Sequence, residues 1–294
     1  MSSDQVKYFF IINPVSGTRK GISAEILIHD VMEKSGEQYE MHVTKYKGHA
    51  TELAARAVEQ KIPFIVAVGG DGTLNEIAKV MTGTNSALGI IPRGSGNGLA
   101  RFAKIPTDTE KALDLILKGY TQKIDTAEIN GKFFISIAGS GFDAKVALHF
   151  NKSKNRGFIN YAWIAVREYF RYKPLEYSIT SNGQTITRKT LLISFANSDR
   201  FGYNAVIAPE SRLDDGLIDI CILQKPPFFS ALFLLIKFFR KKIHTSRYME
   251  ILRVPSAQII SKNKIPTHID GDTGDSEASI DIHIHPSSLT MITP

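Results

Sequence analysis

Residues 65–75 read Ile-Val-Ala-Val-Gly-Gly-Asp-Gly-Thr-Leu-Asn, an apolar run that enters a glycine turn carrying a single acid. A continuous Val/Ile run suits a strand buried on both faces of a parallel sheet. Gly69, Gly70 and Gly72 leave the backbone without side-chain cover, so its N–H groups can meet a phosphate. Asp71 falls at the C-terminal edge of such a sheet, where open α/β folds bind ligands. A helix beginning near Thr73 aims its N-terminus at the same place. A turn that only reversed the chain needs fewer glycines and no acid.

The surrounding sequence repeats the strand–loop–helix pattern. Val6 to Ile12 reads as a strand, followed by Asn13-Pro14-Val15-Ser16-Gly17 and a helix from about Ile22 to Lys34. Tyr39 to Thr44 reads as a strand, Ala50 to Gln60 as a helix and Phe64 to Val68 as the strand above. Asn75 to Met81 is helical, and Ala87 to Ile91 is a strand that ends in Pro92-Arg93-Gly94-Ser95-Gly96-Asn97-Gly98. A helix from Thr109 to Lys118 closes this half. Alternating strands and helices predict parallel βαβ units. Three strand ends release Gly- or Ser-containing loops, and in a parallel sheet these open on one edge.

After about Asp125 the texture changes. Asn130-Gly131 inside Glu128–Phe133 and Asn182-Gly183 inside Leu175–Ser194 are hairpin signals. Strands follow at Leu217–Leu223, Ala257–Ser261 and Ile280–Ile284, predicting a β-rich second domain. With 294 residues and 43% apolar content, two ordinary cores are within reach. The one cysteine, Cys221, excludes an internal disulfide and fits a reducing compartment. Met-Ser-Ser-Asp-Gln carries no basic-then-apolar leader, so a cytoplasmic location is the expectation. A net charge of +7 suits nucleic acid, an anionic membrane or phosphate-rich ligands, and charge alone does not choose.

Neither Gly-x-x-x-x-Gly-Lys-Ser/Thr nor the dinucleotide fingerprint Gly-x-Gly-x-x-Gly is present. The available phosphate donors are the glycine N–H groups, the Thr73 and Ser95 hydroxyls and the Asn13 and Asn75 amides. Arg19, Lys20 and Arg93 can add positive charge, although a solvated position suits each of them equally well.

Taken together, these residues resemble the diacylglycerol kinase catalytic domain family, which includes bacterial soluble lipid kinases and sphingosine kinases. The matching pieces are Asn13-Pro14-x-Ser16-Gly17, Gly69-Gly70-Asp71-Gly72-Thr73-x-Asn75-Glu76 and Pro92-x-Gly94-Ser95-Gly96-Asn97. Further along come Gly139-x-Gly141-Phe142-Asp143-Ala144, Leu213-Asp214-Asp215-Gly216-Leu217 and Asp270-Gly271-Asp272. The match covers nearly the whole chain; Gly-Gly-Asp-Gly alone is weak, because NAD kinases and phosphofructokinases share it.

The resemblance implies an α/β N-terminal domain with a parallel sheet like that of NAD kinases and phosphofructokinases, and a C-terminal antiparallel β-sandwich. The first would be a nucleotide-binding domain over residues 1–127, to which a tail of about 288–294 returns. The second, residues 128–287, would bind lipid, with the reaction between the two. ATP would lie across Gly69–Asn75 and Gly94–Asn97, with Ser16 and Thr44 nearby, and a lipid hydroxyl would attack the γ-phosphate. Phosphoryl transfer is mostly positioning and charge stabilisation, so glycine cradles, acids for Mg²⁺ such as Asp71 and Asp125, and one base suffice.

The base site implied is Asp270-Gly271-Asp272. The family pattern is Asp-Gly-Glu with the last acid as proton acceptor, and Asp272 fills that place one methylene shorter, which leaves Asp270 and Asp272 both open. Similar enzymes hold a structural Mg²⁺ in the segment matching Arg212–Leu217, with Asp215 supplying a side chain and Arg212 and Leu217 supplying carbonyls. Gly98 stands where many bacterial members carry an acid, and Gly-Ser-Gly-Asn-Gly-Leu-Ala looks closer to the sphingosine and ceramide kinase version.

Phe228 to Lys242 joins a dense apolar stretch to a basic end, the composition of an interfacial helix that meets anionic headgroups. Tyr161 to Arg171 is a second amphipathic stretch, read as structural. His283 and His285 share a strand face without the further ligands zinc needs, and Trp163 carries no functional signal. The expectation is an ATP- and Mg²⁺-dependent kinase of diacylglycerol or of a sphingoid/ceramide-type lipid, peripheral to an anionic membrane. No nucleic-acid partner is expected, and a homodimer is possible. The alternatives are an NAD kinase-like enzyme and a catalytically silent lipid-binding regulatory protein.

Overall fold

The computed structural model describes residues 5–16, 23–153, 158–201 and 205–294, so Gly17, Arg19 and Lys20 lie outside the described residues. The chain forms two compact units, Met1–Thr126 with Pro286–Pro294, and Ala127–His285.

The first unit alternates as the sequence pattern predicts. In order it contains β1 (Tyr8–Ile12), α1 (Ala24–Ser35), β2 (Tyr39–Val43), α2 (His49–Glu59), β3 (Phe64–Gly69) and α3 (Asp71–Met81). β4 (Ala87–Pro92), α4 (Gly98–Phe102) and α5 (Thr109–Lys118) follow. Local chemistry sets the helix ends. Ser23 caps α1 by accepting the Glu25 N–H at 3.2 Å, and Gly36 stops it at φ 71°. Asp108 caps α5 through the Lys111 N–H, and Gly119 ends it in the left-handed region.

β1 pairs in parallel with β2 on one side and β3 on the other, in registers Tyr8↔Tyr39 and Tyr8↔Phe64. β3 pairs in parallel with β4, in register Phe64↔Ala87. Every residue of β1 and β4 is buried, which is why they read as unbroken apolar runs. Because β2 and β3 leave β1 in opposite directions, the crevice between β1 and β3 is a topological switch point, the place where open α/β sheets take ligands.

β5 (Thr121–Ile129) leads into the second unit, where β6 (Lys132–Phe134) pairs with it across Asn130-Gly131. β7 (Ile137–Gly141), α6 (Phe142–Lys152) and α7 (Phe158–Arg171) come next. β8 (Leu175–Ser181) and β9 (Gln184–Thr190) form the second hairpin, followed by β10 (Leu192–Ala196) and β11 (Ile218–Leu223). α8 (Phe228–Phe239), β12 (Met249–Val254), β13 (Ser256–Ile269) and β14 (Asp272–Ile292) complete the chain.

The strands of this unit pair antiparallel around a core that includes Phe134, Tyr177, Ile193, Phe195, Ile220 and Ile282. Two of the predicted short strands, 257–261 and 280–284, are pieces of β13 and β14. Register shifts between Ile260 and Ile265 and between Pro266 and His268 absorb the polar stretch that made β13 look short. β14 continues into the first unit, where Thr290 and Met291 pair in parallel with Ala87 and Leu88 of β4.

Candidate active site

Three loops meet at the C-terminal ends of β1, β3 and β4. The Asn13 N–H donates to the Val68 carbonyl at 2.9 Å, carrying the β1–β3 ladder one residue past β1. The Arg93 N–H donates to the Gly69 carbonyl at 2.7 Å, which does the same for β3 and β4. Beyond these bonds the two glycine loops touch backbone to backbone. A Cβ added to Gly94 would lie 2.6 Å from the Gly70 Cα, and one added to Gly70 would lie 3.1 Å from the Gly94 Cα. The glycines are therefore needed for contact between the loops, not only for exposure of their amides.

Gly70 occupies the N-cap position of α3 and caps nothing with a side chain. The first-turn amides of this eleven-residue helix supply partial positive charge at the switch point. Asp71 begins the helix, and its Oδ1 accepts the Gly98 N–H at 2.9 Å, tying the α3 turn to the start of α4. Gly98, which departs from the acid many family members carry, thus meets Asp71 through its backbone N–H. Thr44 extends from β2, and its N–H donates to the Ile12 carbonyl at 2.8 Å. Gly72 and Ser95 are exposed, while Asn75 and Gly96 are half-buried.

The structure refines the expected donors. Asn13 Nδ2 donates to Thr73 Oγ1 at 2.8 Å, and Asn13 Oδ1 accepts the Val15 N–H at 3.1 Å. Ser16 Oγ donates to the Asn13 carbonyl at 2.7 Å. Asn97, in the left-handed region at φ 48°, accepts the Gly94 N–H through Oδ1 and donates through Nδ2 to the Gly94 carbonyl. Asn13, Thr73 and Asn97 are thus clasps that fix the loops, which leaves the loop amides as the outward donors. Glu76, matched in the sequence without a role, accepts the Gly48 N–H at 3.1 Å and so anchors the entry to α2. Asp125 is 1% exposed and accepts the Ser287 N–H at 2.7 Å.

In the second unit, Asp270 and Asp272 separate clearly. Asp270 and Gly271 both have positive φ, 46° and 90°, and form the two-residue turn between β13 and β14. The Asp270 carboxylate accepts three backbone N–H groups, from Ile135 at 3.0 Å, Ser136 at 2.9 Å and Ile137 at 3.0 Å. That engagement gives Asp270 a structural role: three of its lone pairs hold the entry to β7. Asp272 opens β14 opposite Ile269 and is exposed. Asp270→Ala is expected to cost about 3 kcal/mol, the order for leaving buried amides without a charged acceptor. The check is a lowered urea midpoint for the second unit, and an unchanged midpoint would overturn the assignment.

Sequence reading also passed over a polar cluster at the start of α6. Asp143 Oδ2 lies 2.9 Å from His268 Nε2 and accepts the Ser194 hydroxyl at 3.3 Å, while Oδ1 accepts the Ala144 N–H. Gly139 leaves the room for this pair, since a Cβ there would lie 2.5 Å from His268 Nε2. The Asp143 position was visible in the matched Gly-Phe-Asp-Ala stretch, and His268 sits two residues before Asp270. Nearby, burial first and the Asp143 charge second push the Tyr172 phenol well above its ordinary range.

The segment 212–217 is one tight turn. Asp215 Oδ1 accepts the Leu217 N–H at 3.0 Å, Gly216 has φ 69°, and Arg212 pairs with Asp214 at 3.1 Å. The Asp214 hydrogen bond and charge raise the Arg212 guanidinium above its ordinary value. Asp215 is exposed on this turn, so its carboxylate and the turn carbonyls suit the oxygen ligands Mg²⁺ prefers. Among the described residues no three His, Cys, Asp or Glu side chains cluster as a ready metal site. His283 and His285 are exposed, and His285 pairs with Glu128 at 3.3 Å.

A parallel α/β unit with an uncapped glycine-turn helix at its switch point, joined to an antiparallel β-sandwich, defines a class of two-domain kinases. Residues 7–129 match the model of the diacylglycerol kinase catalytic domain, and residues 136–293 match the YegS C-terminal NAD kinase beta sandwich-like domain. The chain belongs to this family of diacylglycerol kinase-like lipid kinases.

It is 28% identical over 271 residues to a diacylglycerol kinase of Bacillus subtilis, covering 90% of this chain and 89% of that one. A diacylglycerol kinase of Mycobacterium tuberculosis is 33% identical over 183 residues, 60% of this chain and 59% of the relative. Among solved structures, a diacylglycerol kinase from Bacillus anthracis superposes with a TM-score of 0.75 at 20% identity, covering 98% of this chain and 97% of that chain. A second structure from the same organism gives 0.83 at 21% identity, with 100% and 97% covered.

Proposed function

We propose that this lipid kinase transfers the γ-phosphate of ATP to a hydroxyl of diacylglycerol or of a sphingoid/ceramide-type lipid, and that Mg²⁺ accompanies the nucleotide. The observation that carries the reading is the contact of the Gly70 and Gly94 backbones beside the uncapped start of α3. Two loops with no side chains at their meeting point offer a row of amides to a polyphosphate, and the helix N-terminus adds its partial charge. The NAD kinase-like alternative shares this cradle and differs in its acceptor.

The residues divide the work by chemistry. Amides of Gly69–Thr73 and of Ser95 and Gly96 bind and orient the phosphates, with Ser16, Thr44, Asn75 and the Ser95 hydroxyl at the rim. Asn13, Thr73 and Asn97 are positioning residues that hold those loops in register. Mg²⁺, held through Asp71, would supply charge neutralisation for the transferring phosphoryl group. Asp125, 1% exposed and bonded to the Ser287 N–H, would instead fasten the returning tail. Asp272 accepts the proton of the lipid hydroxyl as its oxygen bonds to the γ-phosphorus and the bond to the β-phosphate oxygen breaks, releasing ADP. Arg212, Asp215 and Leu217 would hold a second, structural Mg²⁺ away from the chemistry. The protein would act peripherally at an anionic membrane on the cytoplasmic side, where its substrate and ATP are both present.

The test is labelled ATP and Mg²⁺ with mixed micelles of candidate lipids, run beside NAD. Label in a lipid fraction supports the proposal. Label in NAD, or no transfer with lipid still bound, overturns it. Chelation of Mg²⁺ is expected to abolish transfer and its return to restore it. Asp71→Ala is expected to lower turnover by more than ~100-fold, the scale for losing a group that acts at the reacting phosphate. Near-normal turnover of that variant would remove Asp71 from the site.

A further inference from the structure

α8 was read as an interfacial helix with a basic end and α7 as structural; both helices present apolar side chains outward. On α8, Phe229 is 78% and Phe233 70% exposed, and Phe228, Leu232, Leu235 and Ile236 are exposed as well. Among the described residues of α8 only Leu234 is fully buried, with Phe238 partly buried against the core beneath. On α7, Trp163, Val166 and Phe170 are exposed and follow i, i+3, i+7, one stripe of the helix.

The two stripes meet. The Phe170 and Phe228 rings are 4.9 Å apart, Tyr169 donates its hydroxyl hydrogen to the Pro226 carbonyl, and Lys225 Nζ donates to the Tyr172 carbonyl at 2.8 Å. α7 is itself pinned to α6 through buried Glu168, which pairs with Lys145 at 3.5 Å, His149 at 3.9 Å and Arg167 at 3.2 Å. Burial works to raise that carboxyl, and His149, Lys145 and Arg167 more than reverse it, so it sits below its ordinary value.

We infer that α7 and α8 form a single insertion platform for an anionic lipid bilayer, with Trp163 in the inserted face. This deepens the lipid-kinase reading by naming how the protein reaches a substrate held in a membrane. Charge selects the occupant. From Lys225 to Met249 the chain carries Lys225, Lys237, Arg240, Lys241, Lys242 and Arg247 and no Asp or Glu. Arg167 lies over the Trp163 ring at 5.2 Å, and Arg171 is exposed at the end of the same helix.

Apolar side chains bordered by cations match acyl chains bordered by anionic headgroups. A second copy on this face would set one basic border against another, which favours the bilayer. α8 has twelve residues, and no helix among the described residues is long and apolar enough to cross a membrane, so the platform lies in the interface. Indole suits that depth, with its ring among chains and its N–H at the headgroups.

The chain's single tryptophan makes the proposal directly readable. With vesicles of phosphatidylglycerol and phosphatidylcholine, the full chain is expected to show a blue-shifted Trp163 emission, quenched by lipids brominated on the acyl chain. Phosphatidylcholine vesicles alone should give much less. Phe229→Ser with Phe233→Ser should weaken vesicle affinity ~100-fold or more, the scale for two withdrawn aromatic side chains. Lys241→Glu with Lys242→Glu should weaken it about tenfold or more and flatten its salt dependence.

The phenylalanine variant should keep its turnover on a short-chain, monomeric diacylglycerol. Absence of a shift on anionic vesicles overturns the platform. So does a shift that follows protein concentration without lipid, which would assign the face to a second copy. If no lipid is ever phosphorylated while the emission still shifts, the platform stands and the kinase reading falls.

Discussion

Asp272→Ala is expected to lower turnover by more than ~100-fold with ATP affinity and thermal stability unchanged, because losing a positioned proton acceptor costs ~10²–10⁴-fold. The stability clause follows from where the residue sits. Asp272 is exposed at the first position of β14, directly after the turn, and the fixed geometry of that turn comes from its neighbour. Asp270→Ala should show the opposite profile, with a lower unfolding midpoint in the absence of any substrate. Asp272→Glu restores the extra methylene of the family pattern and should retain measurable turnover. Steady-state kinetics on a micellar lipid, beside a binding measurement with an ATP analogue, separates these outcomes. Near-normal turnover in Asp272→Ala would exclude it as the base.

The second large effect belongs to a single methyl group. Gly94→Ala is expected to weaken ATP binding by about 10- to 100-fold, because the new Cβ would lie 2.6 Å from the Gly70 Cα and 2.8 Å from Asn97 Oδ1. Neither neighbour yields cheaply: one is backbone, and the other is committed to the Gly94 N–H. Relief requires the two loops to part, at the ~1–3 kcal/mol typical of overpacking, and the amide row loses its spacing. Calorimetric titration of nucleotide into the parent protein and the Gly94→Ala variant decides the matter. Equal affinities in the two would mean that the loop contact does not shape the phosphate site.

Much of the first unit was legible because its signals are local. The predicted helix from Thr109 to Lys118 coincides with α5, since a capping Asp108 and a terminating Gly119 bracket an amphipathic run. The glycine loops were placed at the correct strand ends for the same reason: each follows a buried apolar strand. What the sequence concealed depends on distant partners. Asp270 looks like any acid in a turn, and its three donors are backbone amides 133 to 135 residues earlier, which leave no side-chain signature.

Asn13 and Thr73 looked like phosphate donors because the bond between them exists only once the loops are folded. α6 was missed because Gly141, at φ 111°, resembles loop and then starts a helix. Within 270–277 only Asp270 and Gly271 turn, and β14 begins at Asp272. For α7, amphipathic spacing was visible but said nothing of which stripe faced outward.

The return of β14 to the first unit has a consequence for how the protein is made. The edge of β4 waits for Thr290 and Met291, and the Asp125 carboxylate waits for the Ser287 amide. Every residue of the sandwich has therefore left the ribosome before the N-terminal half receives its last strand. Synthesis ordinarily lets the N-terminal domain finish first. Here the half translated earliest is the one completed latest.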